Sequence, residues 1–84
     1  MTIDEYKDAI LHNLKISSDC ETVEQVIHRS IEKLKEKHVH TYLVTNYLEK
    51  LKESLEELSP QGFDSVHWCN IKCAILYLKK RLYH

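Results

Sequence analysis

Glycine and proline are almost missing from this chain of 84 residues: there is one of each, both inside Ser59-Pro60-Gln61-Gly62. A phosphate loop, a dinucleotide fingerprint and a nucleophile elbow each need two or more glycines, so the best-marked routes to nucleotide binding and acyl transfer are closed. His-Glu-x-x-His is absent, and with it that zinc-protease signature. No run alternates β-branched and polar residues and no Asn-Gly turn occurs, so strands are not expected. The longest run free of Asp, Glu, Lys and Arg is His38–Leu48, eleven residues, against the roughly twenty that a membrane span needs. Nor is charge of one sign in surplus: twelve basic and thirteen acidic residues give a net charge of −1, without the basic excess of most nucleic-acid binders. The opening residues, Met1-Thr2-Ile3-Asp4-Glu5, are polar and acidic, unlike a secretory leader. With three cysteines, an odd number, the expected setting is reducing and cytoplasmic.

What is present suits a small folded chain. Apolar residues make up 43% and charged residues 30%, a balance that supports a core and argues against disorder. A chain of this length forms one domain, expected over residues 1–84, and buries only about 60–65% of its unfolded surface. Six histidines would carry the formal charge from −1 to +5 on full protonation, between about pH 7 and pH 5.

The periodicity predicts an all-α fold, a small antiparallel four-helix bundle with helices over about 3–14, 21–37, 41–58 and 64–82. Thr2-Ile3-Asp4-Glu5 reads as a capping box opening the first helix, whose inner stripe is Ile3, Tyr6, Ile10 and Leu14. The second helix has two candidate boxes, Ser18-Asp19-Cys20-Glu21 and Thr22-Val23-Glu24-Gln25, and an inner face of Val23, Val26, Ile27, Ser30, Ile31 and Leu34. In the third helix Val44, Tyr47, Leu48, Leu51, Leu55 and Leu58 point inward. Only His38-Val39-His40-Thr41 separates helices two and three, and no Gly or Pro forces a turn there. Their stripes are nevertheless out of phase by about 100°, which favours a break over one continuous helix. The fourth helix carries a staple pattern, Phe63 before an Asp64 cap and Trp68 four residues into the helix. Lys79, Lys80 and Arg81 suit the negative end of its dipole.

Helix four is also the segment with an apolar surplus. Trp68, Ile71, Ile75, Leu78 and Leu82 make one stripe, and Val66, Cys69, Cys73, Leu76 and Tyr77 make a second, almost opposite. Lys72 and Lys79 divide them on one side, His67, Asn70 and Arg81 on the other. A helix apolar on two sides is either central or grips a second body. The second stripe is therefore the candidate partner-binding surface.

Chemistry has weaker candidates. Cys69 and Cys73, at i and i+4, share a helix face and with His38 and His40 could offer four zinc ligands, but the tight turns of zinc knuckles are missing. Buried cysteine as a small hydrophobe is the favoured account of the pair. Cys20, at a helix start, is the expected most reactive thiol, yet no base is spaced to serve it. Carboxylates at helix spacing, such as Glu49, Glu53 and Glu57, fall off the apolar stripes and read as solvated faces. Size and helix pattern resemble small bundles such as the bacteriocin immunity proteins, in architecture alone. The expected function is a non-catalytic protein–protein interaction module, a small helical adaptor, inhibitor or immunity-like regulator. It would bind a partner protein or itself, with no cofactor, no metal and no small-molecule substrate. The alternative is a small regulatory nucleic-acid-binding or metal-binding helical domain.

Overall fold

The structure is a computed structural model and describes residues 2–83. Four helices form: α1 Ile3–Lys15, α2 Cys20–Glu36, α3 Thr41–Glu56 and α4 Ser65–Leu82, with a single 3-10 turn at Pro60–Gly62. Each start is held by a side-chain cap. The Thr2 hydroxyl accepts from Glu5 N–H at 3.1 Å and donates to the Glu5 carboxylate at 3.3 Å. Asp64 accepts from His67 N–H at 2.8 Å, and the Phe63 and Trp68 rings meet with centroids 5.9 Å apart, as the staple requires.

At α2 the cap is Asp19, which accepts from Thr22 N–H at 2.7 Å, and neither Ser18 nor Thr22. A carboxylate is the stronger acceptor and also favours the positive end of the helix dipole, so the helix starts one residue before the expected Glu21. At the other end α3 stops at Glu56, short of the expected Leu58. The residue ahead of a proline is pushed out of the helical region. Ser59 is accordingly extended, with ψ 155°, and the chain tightens first, Leu58 N–H reaching Leu55 O at 3.2 Å.

Helices α2 and α3 are separate. His38 takes a left-handed conformation, φ 58°. Val39 N–H then bonds Leu34 O at 3.1 Å and His38 N–H bonds Lys35 O at 3.0 Å, the paired 6→1 and 5→2 bonds of a Schellman ending.

Cross-helix contacts fix the directions. Asp4 meets Lys50 and Lys7 meets Ser54, so α1 and α3 run the same way. Cys20 meets Asn70, and Glu24 lies near Cys73, so α2 and α4 also run together. In cross-section α2 and α3 occupy opposite corners with few close contacts between them, and α1 and α4 each pack against both. The core is built from Leu14, Val23, Ile27, Ile31, Val44, Leu48, Leu51, Leu55, Ile71, Ala74 and Leu78, around a fully buried Tyr47. These are the expected inner faces of α2 and α3. Val26 and Leu58, at their margins, are partly covered.

One polar group is built into the centre. The Tyr47 hydroxyl donates to Ser30 Oγ at 2.8 Å, Ser30 Oγ donates to Ile27 O at 2.7 Å, and the Tyr6 hydroxyl donates to Ser30 O at 2.9 Å. Tyr47 thus spans the bundle from α3 to α2. Burial pushes its hydroxyl well above the ordinary tyrosine range, with the Ser30 bond opposing.

Candidate functional site

Helix α4 buries Asn70, Ile71, Ala74 and Leu78, and leaves Trp68, Ile75, Tyr77 and Leu82 partly covered. The centre of its buried arc is therefore Ala74, with Asn70 beside it. This corrects the division into two opposed stripes. Asn70 was expected among the polar separators, yet the side containing it is the deepest part. The first stripe, with Cys73 and Tyr77 of the second, makes up that arc and its flanks on a helix that packs against α1, α2 and α3. Asn70 is satisfied there: Nδ2 donates to Ser17 O at 3.0 Å, and Cys20 Sγ lies 3.8 Å from Oδ1.

The expected partner-binding residues divide. Val66 and Leu76 are each 60% exposed and Cys69 is exposed, all on the solvent side of α4. Cys73 and Tyr77 turn toward the edge of the core and are half-buried. Arg81 covers Tyr77, its guanidinium 5.9 Å from the ring centroid. Sequence reasoning left out Tyr83, 69% exposed at the end of α4. The spacing Val66, Cys69, Cys73, Leu76, Lys80, Tyr83 is i, i+3, i+7, i+10, i+14, i+17, the a/d spacing of a helix seam. That signal was present in the sequence for anyone extending the register past Tyr77. Lys72 and Lys79 flank the seam, Lys80 interrupts it, and α4 contains no acidic residue.

The start of α4 also forms one wall of a surface cleft of about 410 Å³, lined by Asp19 and Cys20 of the α2 start and by Val66, Cys69 and Asn70. Cys20 and Cys69 share this cleft. Burial first, and then the neighbouring Cys20 thiol, push the Cys73 thiol up to about 12. His38 and His40 sit beyond the far end of α2, a 17-residue helix about 25 Å long, so they do not join Cys69 and Cys73. Among the described residues no three His, Cys, Asp or Glu side chains are grouped to hold a metal ion, and no helix is long and apolar enough to cross a membrane.

Comparisons with protein-family models, with curated proteins and with solved structures give no match.

Proposed function

We propose that this chain is a non-catalytic protein–protein interaction module that docks through the solvent side of α4, most simply against a second copy of itself. The observation that carries the reading is the row of exposed apolar side chains, Val66, Leu76 and Tyr83 with Cys69 between them. It lies on a helix whose opposite arc already fills the core. Large apolar side chains grouped along a seam, rather than scattered singly, mark an interaction surface. The spacing supports helix-on-helix packing, in which knobs from one helix enter gaps of the next. A two-fold pairing with the α4 helices antiparallel and centred near Cys73 sets Lys79, Lys80 and Arg81 of one copy beside Asp64 of the other. The basic end of each helix then lies beside one carboxylate of the other copy.

The test pairs Val66→Asp with Leu76→Asp. Both positions are exposed, so circular dichroism should show an intact fold. Light scattering of the parent at high concentration should give a dimer, and of the double variant a monomer. A monomeric parent rules out the second copy as occupant, and an unfolded variant would show that the seam belongs to the core.

A further inference from the structure

Four of the twelve Lys and Arg side chains form ion pairs among the described residues. Lys7 meets Asp8 at 3.0 Å, Lys50 meets Asp4 at 3.1 Å, Lys52 meets Glu56 at 2.9 Å, and Lys35 sits 3.9 Å from Glu32. Arg29, Lys33 and Lys37 follow one another at i, i+4 and i+8, a row about 12 Å long. None of the three forms an ion pair among the described residues. Like charges at that spacing repel one another and weaken the helix.

The row runs along a groove between α1 and α2. Its wider part, about 470 Å³, has Ile3, Tyr6 and Ile10 on one wall, Leu34 on the other, and Lys33 and Lys37 at the rim. It continues into a recess of about 240 Å³ that shares Tyr6, Ile10 and Lys33 and adds Arg29. No Asp or Glu lines either part. The groove is open because α1 packs thinly: only Leu14 of its 13 residues is fully buried.

We propose that this groove is a second docking site, for an acidic amphipathic helix of a partner protein. The partner's apolar stripe would lie on Ile3, Tyr6, Ile10 and Leu34, and its carboxylates, at i, i+4 and i+8, against Arg29, Lys33 and Lys37. The length of the basic row decides between occupants. A single-headed anionic amphiphile would use one cation at one end; three cations over two turns match a ladder of carboxylates on another helix. A second copy of this chain does not fit. Its one complementary row, Glu49 and Glu53 of α3 with Glu57 at the C-cap, is exposed, and the large apolar side chain exposed on α3 is Tyr42. Exposed ion pairs without apolar burial do not offset the cost of association.

The test uses two fluorescein-labelled synthetic 18-residue peptides with the same leucine stripe. One carries Glu at i, i+4 and i+8 beside the stripe, the other Lys, and a single-stranded RNA 18-mer serves as a polyanion control. Fluorescence anisotropy should show the Glu peptide binding at least about tenfold more tightly than the Lys peptide at moderate salt. Arg29→Glu/Lys33→Glu/Lys37→Glu should reverse that preference, with Lys33→Gln as a milder variant if the triple change disturbs the fold. Ala9→Trp, which fills the groove without touching its charge, should weaken the Glu peptide about tenfold or more. Equal binding of the two peptides, indifference to Ala9→Trp, or preference for RNA overturns the proposal. Both peptides should bind the Val66→Asp/Leu76→Asp variant unchanged, which separates this site from the α4 seam.

Discussion

Ser30 is a small residue that answers to two tyrosines in the middle of the bundle. Its hydroxyl is the acceptor for the Tyr47 hydroxyl and its carbonyl is the acceptor for Tyr6. Ser30→Ala leaves the fully buried Tyr47 hydroxyl without a partner, which costs about 1–3 kcal/mol. Tyr47→Phe removes donor and demand together, while Ser30 keeps its bond to Ile27 O, so its cost should be about 1 kcal/mol or less. Urea unfolding should therefore rank Ser30→Ala as the more damaging change. In the double variant part of the Ser30→Ala loss should be recovered, a non-additivity expected of residues in one network. Simple additivity would show that the Tyr47–Ser30 bond contributes little.

At the scale of the helix, the ending of α2 is strained where a glycine would usually stand. His38 at φ 58° occupies a conformation that disfavours residues with a Cβ. His38→Gly should raise stability by about 0.5–1 kcal/mol, the relief being partly offset by glycine's freedom in the unfolded chain. His38→Val should lower it, since β-branched residues tolerate this region least. Thermal unfolding followed by circular dichroism would show opposite shifts, and shifts of the same sign would mean that the Schellman ending does not govern this boundary. The same residue explains what could be read from sequence. The Thr2 cap, the Phe63–Trp68 staple and the inner faces of α2 and α3 depend on neighbours within a turn or two, and local pattern exposes them. The break at His38 has no compositional mark; only the phase slip between two stripes announces it. In α4 the mark misleads. The deepest positions belong to Ala74 and Asn70, too small or too polar to weigh in an apolar count, while Leu76 and Val66 weigh heavily and face solvent.

For the molecule as a whole, the acid limit of stability should be set by caps rather than by the core. Asp19 is held below the usual carboxylate range first by the backbone N–H of Thr22, Asp64 first by the backbone N–H of His67, and Glu56 first by the Lys52 ammonium. A depressed folded-state pKa means that the unfolded chain binds protons first. These groups therefore contribute stability in full above the ordinary acid range, and lose it as pH falls below about 4. Between pH 7 and pH 5 they should leave the melting temperature unchanged. Asp19→Asn with Asp64→Asn keeps a capping side chain at both helices but removes the titration, and should flatten the acid limb of the melting profile. An unaltered limb would place the acid sensitivity elsewhere. The groove beside α1 belongs to this scale too. It follows from how loosely Ile3, Tyr6 and Ile10 are covered, which depends on the lean of α1 against its neighbours and has no counterpart in the spacing of those residues.

Helices α2 and α3 are consecutive, joined by residues 37–40, yet they stand on opposite corners. A chain that has formed both has joined them chiefly through Tyr47 and Ser30, a narrow contact for a folding unit. The entropic cost of closing the bundle must be met by segments from further along the chain, α4 above all, before packing rewards it. Folding should accordingly be one cooperative event with its transition state in long-range contacts among Tyr47, Ile27 and Leu78. The consecutive pair with most to gain early is α3 with α4, which pack most closely of all.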